Sequence, residues 1–238
     1  MGKNVGLIGG VRGKVGNVVF STRRGVQIAR AYQPVVANPQ TKRQTLSRAK
    51  LALATVTLKP FERFLRAGWQ KYRPTYEFQR GIGLSIPEDA NIITGDSPAN
   101  LEVQLVSLGN VMSAADLPLA SFSAVDFTNA NEAKFSCTPV AEHFMDKSGN
   151  PIGAGVVVAV YSADANIVVN AFVPLNSNLS PVSVVVETPE ILSGMTVYVY
   201  AFIKQIPEAV NGVPSNDLPW MYPADTSACQ MVGSGVIS

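Results

Sequence analysis

The sequence predicts an α+β fold, with a basic front made of a β-hairpin and an αα-hairpin and an immunoglobulin-like antiparallel β-sandwich behind it. Three observations predict it. Charge divides the 238-residue chain: residues 1–80 hold 16 of the 19 basic side chains and two acids, Glu62 and Glu77, whereas 81–238 hold Lys134, Lys147 and Lys204 against 15 acids. Apolar residues recur at helical spacing between 42 and 73, and beyond 100 short runs of Val, Ile, Tyr and Phe alternate with turn signals. The boundaries that follow are a basic hairpin–helix module over 1–80, a linker over 81–100 and an acidic β-sandwich domain over 101–238.

The opening MGKNVGLIGGVRGK has no sustained apolar run. A secretory leader is therefore not expected, and the chain is expected in the cytoplasm or packaged in a virion. Nor is there a run of about 18 apolar residues to suggest a membrane helix. Gly6, Gly9, Gly10, Gly13 and Gly16 suggest a turn-rich arm carrying Arg12 and Lys14. A phosphate loop fails on spacing: Val15 follows Gly13-Lys14, and Ile8 stands where the earlier glycine is needed. Next, VVFST and VQIARAY flank Arg23-Arg24-Gly25. Their alternation predicts two strands, with Gly25 closing a type I turn plus bulge and Arg23 and Arg24 at the tip. Pro34 and Pro39 bracket an extended connector.

Asn38 or Thr41 can cap a helix over 42–58, whose apolar side is expected to be Leu46, Ala49, Leu53 and Val56, with Leu51 and Leu58 on another face. Pro60 suits the first turn of a second helix over 60–73. There Phe61, Phe64, Leu65, Gly68 and Tyr72 share one face, and Arg63, Arg66, Gln70 and Arg73 the other.

Residues 81–100 are rich in Gly, Pro, Asp and Asn. Strands are expected at 101–108, 121–127, 133–137, 155–161, 167–173, 182–187, 195–204 and 228–237, with turns at 146–151, 176–178 and 193–194. Ser193-Gly194-Met-Thr-Val-Tyr198-Val-Tyr200 is similar to the approach to strand F in immunoglobulin-like domains, where a tyrosine ties the corner. Cys137 and Cys229 are expected as reduced, buried thiols rather than a disulfide. Glu142-His143 reads as a solvated loop pair, and Trp220 with Tyr222 as an anchor for a proline-rich loop.

No catalytic constellation emerges. His143 is the only histidine, and neither CxxC nor HxxxH spacing occurs, so no enzyme activity, metal site or cofactor is expected. The charge does point to a partner. Arginine offers a planar, permanently charged fork that fits phosphate and carboxylate. Soluble surfaces normally intersperse the two signs, so a long segment almost without acids suggests a polyanion or an acidic surface. The candidate contacts are Arg12, Lys14, Arg23, Arg24, Arg30, Lys42, Arg43, Arg48, Lys50, Arg63, Arg66 and Arg73. Nucleic acid and an acidic protein surface both fit them, and a homo- or hetero-oligomer is expected.

The stretch GKVGNVVFSTRRGVQIARAYQPVVANPQTKRQTLSRAKLALA resembles the opening of an uncharacterised family of Bacteroidetes-type bacteria and their phages. Gly13-Lys14-Val15-Gly16 and Asn38-Pro39-x-Thr41 are the sharpest parts, and NIITGDSPANLEVQLVSLGNV is similar to that family's second half. A tryptophan near Phe135 is missing. The resemblance implies a hairpin–helix front, a sandwich back, an association with phage or mobile-element genes, and no known activity. The leading expectation is a structural phage virion or assembly protein. A cytoplasmic, sequence-independent nucleic-acid binder and a surface- or carbohydrate-binding sandwich are the alternatives.

Overall fold

Alternation of Val18, Phe20 and Thr22 with Val19 and Ser21 is what a strand requires, and the chain forms one there. The structure is a computed structural model that describes residues 13–23, 26–35, 40–70, 92–206 and 224–238. It divides into two units, Met1–Thr41 and Lys42–Ser238.

The first unit holds β1 (Gly13–Val15), β2 (Val18–Arg23) and β3 (Val26–Ala31), an antiparallel sheet in the order β1-β2-β3. The segment expected as an arm is thus partly a strand. Val15 pairs with Val18, so only Gly16 and Asn17 turn the chain, and Gly16 takes the left-handed φ of +57° that so tight a turn favours. Arg23 pairs with Val26; the expected tip, Arg24-Gly25, lies outside the described residues. Those of this unit whose side chains are described are all exposed or half-buried.

The second unit begins with α1 (Lys42–Leu58) and α2 (Glu62–Trp69). Strands β4 (Ile93–Thr94) and β5 (Glu102–Val103) pair with each other, followed by β6 (Ser121–Phe122), β7 (Glu132–Thr138), β8 (Gly153–Ser162), β9 (Ile167–Pro174), β10 (Val182–Glu187), β11 (Thr196–Ile206) and β12 (Gln230–Val236). Two antiparallel sheets result, β10-β7-β6 and β12-β11-β8-β9. Their facing sides share one apolar cluster, with Phe135, Cys137, Val184 and Val186 against Val156, Val158, Val160, Val199 and Ile203.

The other side of the four-stranded sheet is covered as well. Val157, Ala159, Tyr161, Tyr200 and Phe202 pack with Phe61, Phe64 and Leu65 of the helical segment. The Phe61 ring lies 4.8 Å from Tyr161 and 5.7 Å from Tyr200, and the Phe64 ring 4.9 Å from Phe202. Burying each such side chain stabilises by about 1.5–3 kcal/mol. Gly68 makes the approach possible: a Cβ there would stand 2.1 Å from Met112 O.

This packing moves the boundary. Charge suggested a break at 81–100, but the αα pair falls in one unit with the sheets because its apolar face is their third layer. Ile92 and Ile93, inside the expected linker, are buried in that same layer, whereas 81–91 lie outside the described residues. The strand expected at 101–108 shrinks to Glu102–Val103 and gives way to a 3₁₀ turn at Leu108–Val111, with Leu101, Val103, Leu105 and Leu108 all on the core. In 121–127 only Ser121–Phe122 forms a strand. In α1 the buried stripe is Lys50, Ala54, Thr57 and Leu58, while Val56 is 62% exposed. The remaining expected strands and α1 form close to their expected limits; α2 covers Glu62–Trp69 of the expected 60–73, of which 71–73 lie outside the described residues.

Candidate functional site

Strand register sorts the small N-terminal sheet into two faces. Lys14 pairs with Val19 and Val19 with Arg30, so the two cations flank one valine in a single row across three strands. Adjacent strands lie about 4.8 Å apart, which separates the two backbones by roughly 10 Å. Lys14 Nζ stands 3.5 Å over the centre of the Tyr32 ring, a cation–π contact on that side. The opposite face carries Gly13, Val15, Val18, Phe20, Thr22, Gln27, Ala29 and Ala31, without a charge. The whole unit, residues 1–41, contains six basic residues and no acid.

The other candidates are dispersed. Lys42, Arg43 and Arg48 are exposed on α1, and Arg63 and Arg66 on α2. Arg66 is paired with Glu62 one turn earlier, Nη2 to Oε1 at 3.3 Å. Lys50 is a correction: at 6% exposure it lies in the buried stripe of α1 rather than on the open surface. Its long methylene stem lets a lysine occupy a packed position that sequence alone assigns to solvent. Arg12, Arg24 and Arg73 lie outside the described residues, as do Trp220 and Tyr222; Arg23 ends β2.

His143 is a second correction. It is fully buried, not solvated. Val140 N–H donates to Nδ1 at 3.1 Å, which leaves the proton on Nε2, 2.9 Å from Pro118 O. Both ring nitrogens are thus engaged with backbone, and burial holds the imidazole below its ordinary pKa. The ring fixes the 140–144 turn and cannot reach a substrate. Cys137 and Cys229 are free and buried, as expected, and burial pushes the Cys137 thiol up to about 12. Among the described residues no group of three or more His, Cys, Asp or Glu could hold a metal ion, and no helix is long and apolar enough to cross a membrane.

Lys204 was legible only as one charge in the total. It sits in β11, 1% exposed, and its Nζ donates to Ala67 O at 3.1 Å and Gln70 Oε1 at 3.0 Å. Thr226 Oγ1 and Ala114 N–H both donate to Gly68 O at 3.2 Å. These donors satisfy carbonyls at the C-terminal end of α2, which would otherwise be orphaned, and put a cation at the negative end of its dipole. Gln205 points the other way, donating to Met145 O at 2.7 Å. The signal for Lys204 was parity: it follows Tyr200 and Phe202 at the two-residue period of a strand. Tyr200 OH donates to Leu105 O at 2.7 Å, 95 positions earlier, so it ties a distant segment rather than a nearby corner.

The architecture thus defines a chain of stacked antiparallel sheets with a helical layer and a separate, base-rich small sheet. A family of unknown function, DUF6266, matches residues 10–200, and the chain belongs to it. No curated protein and no solved structure matches the chain.

Proposed function

We propose that this is a non-enzymatic structural protein of a phage virion or its assembly, whose N-terminal unit contacts packaged nucleic acid. The observation that carries the reading is the base-only composition of residues 1–41 together with the row Lys14–Val19–Arg30 on one face of its sheet. A base-only sheet attracts phosphate without reading sequence, because backbone contacts position rather than specify. The phage association rests on the resemblance of Gly13-Lys14-Val15-Gly16 and Asn38-Pro39-x-Thr41 to that group of proteins. For the body we propose an immunoglobulin-like sandwich. The orders β6-β7-β10 and β9-β8-β11-β12 support it, matching strands A-B-E and C′-C-F-G of that architecture.

The test is the salt dependence of binding to a duplex of arbitrary sequence. Each phosphate contact contributes roughly 0.7–0.9 to the slope of log affinity against log salt. Lys14→Ala with Arg30→Ala is expected to lower the slope by about 1–2 units, with no change in base preference. Binding that ignores both substitutions sinks the nucleic-acid reading; an acidic protein surface is then the partner to pursue.

A further inference from the structure

The face of the small sheet that carries Lys14 and Arg30 is not basic throughout. Tyr32 follows Arg30 by two positions, so the strand period puts both side chains on one face. Tyr32 N–H donates to Asn17 O at 2.7 Å, which carries the β2–β3 register one pair past Val18 and Ala31. By the same parity Ile28 shares this face, two positions before Arg30. The two cations are exposed on the outer strands. Val19 lies between them and Ile28 beside Arg30, both half-buried, while Tyr32 is 40% exposed. The Lys14 ammonium stands 3.5 Å over the centre of the Tyr32 ring, about the 3.4 Å spacing of stacked bases. Lys14 is itself exposed, and its ammonium rides on a flexible four-carbon stem. A mobile charge, not packed core, therefore holds that side of the ring.

Resting on the nucleic-acid reading above, we propose that the nucleic acid held by this face is single-stranded. One base stacks on Tyr32 in the place of the Lys14 ammonium, the next lies on Val19 and Ile28, and Lys14 and Arg30 meet the phosphates. A duplex turns its phosphates outward and keeps the flat faces of its bases inside. It offers the cations a partner but leaves Tyr32, Val19 and Ile28 with none. A single strand presents phosphates and base faces together. The exchange on the ring is favourable, because a cation over an exposed ring contributes less than a stacked base. The displaced ammonium then gains a phosphate oxygen. Every base has a π-face, so the contact is indifferent to sequence.

Three probes separate these contacts: a thymidine oligonucleotide, an abasic oligonucleotide of the same length, and a duplex with the same number of phosphates. Each is titrated against the full chain by fluorescence anisotropy. The thymidine strand is expected to bind tightest. Tyr32→Ala is expected to weaken it about 5- to 150-fold without changing its salt slope. Binding of the abasic strand and of the duplex is expected to stay at the wild-type level, which shows that the sheet is intact in that variant. Tyr32→Phe is expected to bind like the wild type, since the ring rather than the hydroxyl makes the contact. Tyr32→Trp is expected to keep binding and to add an emission that the thymidine strand quenches and the abasic strand does not. A duplex or abasic strand bound as tightly as the thymidine strand, a Tyr32→Ala protein with wild-type affinity for it, or an unquenched Tyr32→Trp emission would each overturn the single-strand proposal and leave phosphate binding by Lys14 and Arg30 standing. A chain that binds none of the three probes overturns both the single-strand proposal and the nucleic-acid reading.

Discussion

Lys204 Nζ donates to Gln70 Oε1 at 3.0 Å across 134 positions of sequence. A base of the acid-rich half thus fastens the end of a helix in the base-rich half. Burial pulls this lysine from its ordinary 10.5 down to about 7. The folded chain therefore binds fewer protons than the unfolded chain between those values, and stability rises with pH across that window. Lys204→Met is expected to flatten this rise. Urea midpoints of both proteins from pH 7 to 10 check it; parallel curves would mean that the ammonium is not desolvated.

His143 acts through the opposite end of the scale. Its folded pKa lies below 6.5, so its contribution is present above pH 6.5 and is lost as pH falls through the lowered value. Protonation would also set an N–H at Nδ1 against the Val140 N–H. Wild type is expected to lose stability on acidification more steeply than His143→Gln, read from thermal midpoints between pH 7 and 5.

Fragments test the boundary. Residues 42–238 are expected to fold alone, with the helical layer in place. Residues 101–238 are expected to fail or aggregate, because Val157, Tyr161, Tyr200 and Phe202 lose Phe61, Phe64 and Leu65. Residues 1–41 alone are expected to be unfolded, since none of the described side chains there is buried. Circular dichroism and urea melts distinguish the three.

Gly68→Ala is expected to cost about 1–3 kcal/mol or more, because the added methyl meets the Met112 carbonyl and neither backbone can yield without undocking α2. A denaturation midpoint equal to wild type would mean that the helix layer is loosely held.

Much of this architecture was legible. Both helices and most long strands follow from periodicity, and the turn at 146–151 from its Asp-Lys-Ser-Gly-Asn-Pro. The three-layer arrangement was missed because net charge was allowed to outrank a pattern. In Gly155-Val-Val-Val-Ala-Val-Tyr161 and Tyr198-Val-Tyr-Ala-Phe-Ile203 every position is apolar or small. A strand with one wet face alternates; a strand without alternation is covered twice. Those two runs announced a second layer, and Phe61, Phe64 and Leu65 supplied it. Lys50 misled for a related reason: a charged residue was placed at a contact surface, although a methylene stem packs well in a buried stripe. The burial of His143 had no sequence signal, since its partners are the backbone groups of Val140 and Pro118.

The layer order also carries a consequence for synthesis. The helices leave the ribosome first, but the Phe202–Lys204 stretch on which α2 rests follows Gln70 by well over a hundred residues. At about 5–20 residues per second that separation lasts roughly 7–27 s. Over this interval the cover of Phe61, Phe64 and Leu65 is completed only in stages, by Tyr161 of β8 and last by Tyr200 and Phe202 of β11, a nascent-chain vulnerability that a holdase-type chaperone is suited to mask.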